Sequence, residues 1–326
     1  MNQSVVFMYP GQGSQYYHMG IQLYKHNDVF RVCMDTLNDQ VYGLIGESVL
    51  DIIYDPGRRV GERFDRTLYT HIAIFMVECS LTKIFLSHGI EPNAVIGTSL
   101  GEYAATVTAG VWSMETAIQA VVRQAELLES TCAEGGMLAI LHNLNIYSSD
   151  PLLRELCELA AVNHQSHFIV SGSARNIDRV EQLLKSKEVV CLRLAVSHGF
   201  HSSCIDPAEK PYLSYVQEQI LHKPVIPYGS SVYGKIIGRL EPDYFWKVAR
   251  KPIRFAEAVS SITHEQKKGI YIDMGPSGTL VNIVKNLPIY NQKQTALSIM
   301  TPFHKDCNQL DDIIRRYADS KENGVC

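Results

Sequence analysis

Five residues constrain this chain more than any others: Gly97-Thr98-Ser99-Leu100-Gly101, a match to G-x-S-x-G. Ala94-Val95-Ile96 before them reads as a short buried strand, and Leu100 to Gly110 after them as a helix rich in small residues. A serine placed between strand and helix by two glycines implies a sharp turn, because larger flanking side chains would clash. The turn exposes the Ser99 hydroxyl and aims the next amide, that of Leu100, at any negative charge developing beside it. The same residues also fit a plainer role, a helix start that packs closely against a strand.

The rest of the chain reads as mixed α/β. Ser4 to Tyr9 is a β-rich run stopped by Pro10-Gly11. Tyr69 to Ser87 carries Ile74, Val77, Leu81 and Phe85 at helical spacing, and Met114 to Leu128 is a further helix. Between Met137 and Val196 the pattern changes: strand Met137–Leu141, helix Leu152–Leu159, strands Ala160–Val162 and Phe168–Ser171, helix Asn176–Ser186, strand Val189–Val196. That β-α-β-β-α-β order is the ferredoxin-like unit. We assign residues 135–197 to a small inserted subdomain and residues 1–134 with 198–326 to one large domain. In the latter, Glu209–Ile220 and Glu241–Val259 read as helical, and Val225–Ser230 and Tyr271–Asp273 as strands. The tail after Thr301 is polar and mixed, with no element assigned.

Composition excludes several classes. Hydrophobic residues make up 46% and charged residues 20%, enough for a sizeable core. A formal net charge of −4 argues against nucleic-acid binding by bulk electrostatics. The eight cysteines are scattered without a CxxC pair, the pattern of a reduced cytosol with no disulfide framework. Neither a metal nor a redox cofactor is expected, although His198, His201 and Cys204 lie close in sequence. The N-terminus has no basic region ahead of its apolar run, so it reads as a strand and not a signal peptide. Ile72 to Leu86 is too short and too charged, through Glu78 and Lys83, to span a bilayer. A cytoplasmic monomer with no membrane contact is the expectation.

A serine hydroxyl needs a base before it becomes a nucleophile. Of the twelve histidines, His201 stands out, within Val196-Ser197-His198-Gly199-Phe200-His201-Ser202 directly after the inserted unit. His198 is its competitor. Asp206, Asp273 or a backbone carbonyl can fix the imidazole tautomer.

Four motifs in order, Pro10-Gly11-Gln12-Gly13-Ser14-Gln15, Gly97 to Tyr103, Gly199-Phe200-His201-Ser202 and Asp273-Met274-Gly275-Pro276, carry a family resemblance. Over nearly its whole length the chain resembles the malonyl-CoA:acyl-carrier-protein transacylases and the acyltransferase domains of polyketide synthases. The resemblance implies an α/β-hydrolase-like large domain with a parallel sheet and the ferredoxin-like insert over its cleft. It implies Ser99 as the acyl-carrying nucleophile and His201 as general base, oriented by a backbone carbonyl. The amides of Gln12 and Leu100 would form the oxyanion hole. No cofactor is required, and a CoA thioester would be a substrate.

The departures narrow the reading. Malonyl-specific members carry histidine before the nucleophile, where this chain has Thr98, and an arginine twenty-five residues after it, where this chain has Gln124. Arg123 is one step off, and one helical step rotates a side chain by about 100°. An anion without its arginine loses roughly 2–5 kcal/mol. Ser231 replaces the asparagine of a Ser-Asn-x-x-Gly stretch. We therefore assign the substrate-binding positions Thr98, Gln124 and Ser231 to neutral acyl groups. The chain looks like the trans-acting proofreading acyl hydrolases of polyketide pathways, and a transferase loading the synthase is the alternative. A non-catalytic docking protein is the third reading. The expected partner is an acyl carrier protein, with Arg250, Lys251 and Arg254 as its basic docking cluster and Lys210 and Lys223 as weaker candidates.

Overall fold

The structure, a computed structural model, describes residues 4–265, 268–303 and 305–322. Among them the strands are β1 (Ser4–Tyr9), β2 (Ala94–Gly97), β3 (Gly135–Leu141), β4 (Glu158–His164), β5 (His167–Ser173), β6 (Val190–Arg193), β7 (Tyr228–Ser230), β8 (Lys235–Ile237), β9 (Gly269–Asp273) and β10 (Gln294–Ser298). The larger sheet runs β10-β9-β1-β2-β7-β8, parallel except for the β7–β8 edge pair. Val5 to Tyr9 are apolar at every position because both faces of β1 are covered, as in parallel sheets generally. Phe7 packs edge-on against Phe85 of the helix Thr67–Ser87 at 5.5 Å, while Val6 and Met8 face Phe255, Ile262 and Leu280 on the other side.

The helix Thr67–Ser87 is longer than the apolar run alone suggests. Its 21 residues are long and apolar enough to cross a membrane by composition, yet 83% of its most apolar window is buried inside the protein. It is a core helix.

The smaller sheet is antiparallel in the order β4-β5-β3-β6. The helices Pro151–Leu156 and Ala174–Ser186 cover one face and bury Leu138, Ile140, Phe168, Val170, Ile177 and Val180. The other face, through Met137, Ala139, Ile169 and Leu194, turns toward Ser99.

Several boundaries differ from the sequence reading. The helix expected over Leu152–Leu159 starts at Pro151, where the Asp150 carboxylate accepts the Leu152 amide at 2.9 Å, and ends at Leu156. Glu158 already belongs to β4, which is longer than Ala160–Val162. The strand expected over Val225–Ser230 is only Tyr228–Ser230, because the Val225 amide donates to the Ala109 carbonyl at 2.9 Å instead. Pro252 sits between the helices Tyr244–Arg250 and Phe255–Glu265. The tail forms a helix, Asp306–Glu322, held down by buried Leu310 and Ile313.

Candidate active site

β2 ends at Gly97, and the chain doubles back into the helix Gly101–Thr108 within three residues. The Thr98 amide donates to the Tyr9 carbonyl at 2.8 Å, tying the turn to the end of β1. Two glycines are obligatory here. A Cβ on Gly97 would stand 2.5 Å from the Glu102 amide nitrogen, and one on Gly101 would stand 2.1 Å from the Tyr9 carbonyl oxygen. Squeezed between them, Ser99 takes φ 52°, a left-handed conformation that costs a side-chain-bearing residue about 1–3 kcal/mol.

His201 is held in the same sparsely populated region, at φ 61°. Its amide donates to the Ala249 carbonyl at 2.8 Å, and its Nδ1 lies 2.7 Å from the Lys251 carbonyl oxygen. A carbonyl accepts only, so Nδ1 carries the proton and Nε2 is the bare nitrogen. That nitrogen is 3.0 Å from Ser99 Oγ and accepts a hydrogen bond from its hydroxyl. Burial pushes the His201 pKa down to about 4; the nearby Arg250 charge adds to this, and the Lys251 carbonyl opposes it. A neutral imidazole on a serine hydroxyl is a general base in its resting form.

Lys251 thus supplies the orienting carbonyl, and neither carboxylate does. Asp206 is taken by Arg250 at 2.5 Å. Asp273 is buried at the end of β9, where its carboxylate accepts the Gly275 amide at 3.0 Å and the Leu280 amide at 2.8 Å; burial raises its pKa to about 6. We expect Asp273→Asn to lower stability by about 1–3 kcal/mol in denaturant titration while Ser99 still reacts with a serine-directed probe. Loss of probe labelling in the folded variant would restore Asp273 to the site. His198 does not line the cleft, and its Nδ1 lies 2.7 Å from Thr67 Oγ1.

Thr98, Ser99, Gln12 and His201 line one cleft of about 230 Å³, closed on the far side by Met137, Ala139 and other residues of the small sheet. The loop from Pro10 to Ser14 passes directly over the turn. A Cβ on Gly11 would stand 2.9 Å from Ser99 Cβ and 3.2 Å from the Leu100 amide nitrogen. The amide of Leu100 and the loop bearing Gln12 therefore border the same space, while the Gln12 side chain donates to Thr70 Oγ1 at 2.7 Å.

Two expected substrate contacts are not in that cleft. Gln124 is buried, and its amide donates to the Tyr103 hydroxyl at 2.9 Å; Tyr103 in turn pairs with Tyr212. Ser231 is buried as well, with its hydroxyl donating to the Glu102 carboxylate at 2.6 Å. The basic cluster is also corrected. Arg250 is paired with Glu158 at 3.1 Å and with Asp206, and Arg254 with Glu257, so of the three only the exposed Lys251 is left with its charge unpaired among the ion pairs of the described residues. No lysine or arginine lines the cleft among the described residues.

Sequence reasoning did not single out Glu102 or Tyr244, although Glu102 stands inside the GTSLGEY motif. It also missed His167 and Asn163, which reach the cleft from the small sheet. A polar pair on an otherwise apolar sheet face was the available signal.

Comparison with known proteins follows the same lines. The acyl transferase domain family matches residues 6–318. The chain is 45% identical over 313 residues to the polyketide biosynthesis acyltransferase homolog BaeD of Bacillus velezensis, covering 96% of each. It is 41% identical, with the same coverage, to the homolog PksD of Bacillus subtilis. Among solved structures, the acyl transferase domain of SpnD in complex with 2-(pent-4-yn-1-yl)malonyl superposes with TM-score 0.87 at 25% identity, over 98% of this chain and 77% of that one. FabD from Acinetobacter baumannii shares the fold, with TM-score 0.82 at 23% identity over 98% of this chain and all of that one.

Proposed function

Since the chain belongs to the acyl transferase domain family, we propose that it is a serine-dependent acyl hydrolase acting in trans on acyl-carrier-protein thioesters of polyketide biosynthesis. Ser99 Oγ attacks the thioester carbonyl as His201 Nε2 takes its proton. The charge on the tetrahedral oxygen faces the amides of Leu100 and Gln12. The phosphopantetheine thiol leaves with the proton returned from His201, and Ser99 holds the acyl group as an ester. Water then attacks, His201 takes its proton, and the ester breaks to a free acid with the proton returned to Ser99.

The observation that carries the preference for uncarboxylated acyl groups is the lining of the cleft. No lysine or arginine among the described residues reaches it, and Gln124 spends its amide on Tyr103. A malonyl carboxylate entering such a cleft loses its hydration without a cationic partner, at roughly 2–5 kcal/mol. The apolar surface of Met137, Ala139, Ile169 and Leu194 suits alkyl chains instead. The likeness to acyltransferase homologs favours a second reading, transfer of an acyl group onto empty carrier protein by the same Ser99 ester.

Intact-protein mass spectrometry of carrier protein preloaded with acetyl, butyryl or malonyl groups separates the two. The expected result is free thiol from the acetyl and butyryl carriers, with malonyl lost at least 30-fold more slowly. Stable acyl carriers, with malonyl transfer from malonyl-CoA onto empty carrier, would establish the transferase instead.

A further inference from the structure

The Ser99 turn and the Lys251 carbonyl lie on separate segments, yet a closed circuit of hydrogen bonds joins them by a route that avoids the Ser99–His201 contact. The Ser99 carbonyl accepts the Glu102 amide at 3.0 Å. The Glu102 side chain is fully buried. One carboxylate oxygen accepts the Ser231 amide at 2.9 Å and the Ser231 hydroxyl at 2.6 Å. The other accepts the Tyr244 hydroxyl at 3.0 Å and the Tyr228 hydroxyl. The Ser231 carbonyl accepts the Arg254 amide at 2.7 Å, three residues past Lys251. Tyr244 opens the helix Tyr244–Arg250, at whose far end the carbonyls of Ala249 and Lys251 hold His201.

We propose that the ionised Glu102 carboxylate is a positioning residue: it clamps the Ser99 turn to the Ser231–Arg254 and Tyr244–Lys251 segments and so holds Ser99 Oγ within reach of His201 Nε2. The inference rests on the reading of Ser99 and His201 as nucleophile and base, and not on whether water or a thiol takes the acyl group. It also accounts for Ser231, which the cleft leaves without a substrate role.

The clamp needs the charged form. Four donors converge on one carboxylate, and a proton there would put a fifth donor among them. Burial pushes Glu102 up to about 7, against the pull of Ser231, Tyr228 and Tyr244, which all stabilise the ion. Tyr228 and Tyr244 are the titratable groups facing it, and burial and Glu102 itself raise both hydroxyls well above their ordinary range, so they stay protonated. Above pH 7 the clamp is ionised; as pH falls through 7 it is protonated and loosens. His201 does not protonate until about 4, so loss of reactivity near pH 7 belongs to Glu102.

The test is the rate of Ser99 phosphonylation by a fluorophosphonate between pH 5 and 9. We expect the rate to fall at least fivefold from pH 8 to pH 6. Ser231→Ala and Tyr244→Phe each remove a donor that favours the ion, so each moves the midpoint to higher pH. Glu102→Gln removes the limb and slows the reaction at least tenfold at pH 8, with Glu102→Asp intermediate. A midpoint unmoved in Ser231→Ala and Tyr244→Phe, or a limb that survives Glu102→Gln, overturns the proposal. The nitrogen and proton resonances of the His201 ring read the same event without any reaction. They are expected to shift with a midpoint near pH 7, and no shift between pH 6 and 8 overturns the clamp. Absence of phosphonylation beside a shifting His201 ring would count against the nucleophile alone.

Discussion

Ser99→Ala is expected to lower thioester turnover by about a thousandfold or more and to eliminate the acyl adduct in intact-protein mass spectra. The argument is chemical: Ser99 Oγ is hydrogen-bonded to a neutral imidazole whose proton is fixed on the opposite nitrogen, and no other atom among the described residues of the cleft shares that arrangement. Alanine keeps a Cβ at φ 52°, so it inherits the backbone strain, and melting should change little. Ser99→Gly is the instructive companion. It loses the same hydroxyl but adopts the left-handed turn without strain, so it should be more stable than Ser99→Ala by about 1 kcal/mol. Turnover surviving in Ser99→Ala would remove the nucleophile from this account. Equal stability of the two variants would remove the strain.

Gly101→Ala should be as damaging as a single added methyl can be. The new Cβ meets two backbone carbonyl oxygens, those of Tyr9 at 2.1 Å and Pro10 at 2.4 Å. Neither can swing aside as a side chain would. The helix Gly101–Thr108 must lift off the end of β1, or β1 must shift within the sheet. We expect a loss of about 3 kcal/mol or more, which lowers the melting temperature of a chain this long by roughly 4 °C or more. Probe labelling of Ser99 should fall in parallel, because the same displacement moves the turn. An unchanged melting curve would contradict the close approach of helix and strand.

What sequence could reveal here depends on which atoms carry the information. Ser99 and His201 were legible because their settings are side-chain patterns: glycines that permit a turn, and a histidine in Gly199-Phe200-His201-Ser202. The residues alone left the group that orients His201 open among Asp206, Asp273 and a carbonyl, and only the family resemblance pointed to a carbonyl, since a backbone oxygen such as that of Lys251 has no residue signature. Counting along the helix located Gln124 but not its direction, and direction decides whether it meets substrate or the Tyr103 hydroxyl. The apparent cation cluster failed for a related reason. Glu158 and Asp206, which pair with Arg250, come from β4 and from the short 3₁₀ helix Ser203–Ala208. In the tail, Leu310, Ile313, Ile314 and Tyr317 had the spacing of a buried helix face, and the surrounding polar residues hid it.

The pairing of β1 has a consequence for how the protein is made. Val5 lies beside Ile270, and Val6 beside Tyr271, so the innermost strand of the large sheet is synthesised first and completed nearly last. Until β9 leaves the ribosome, Val5 to Tyr9 can pair only with β2, and one whole edge of an all-apolar strand stays open. Such distant pairing makes folding slow and exposes a sticky edge to other nascent chains. The strand order thus leaves that edge unpaired for most of synthesis.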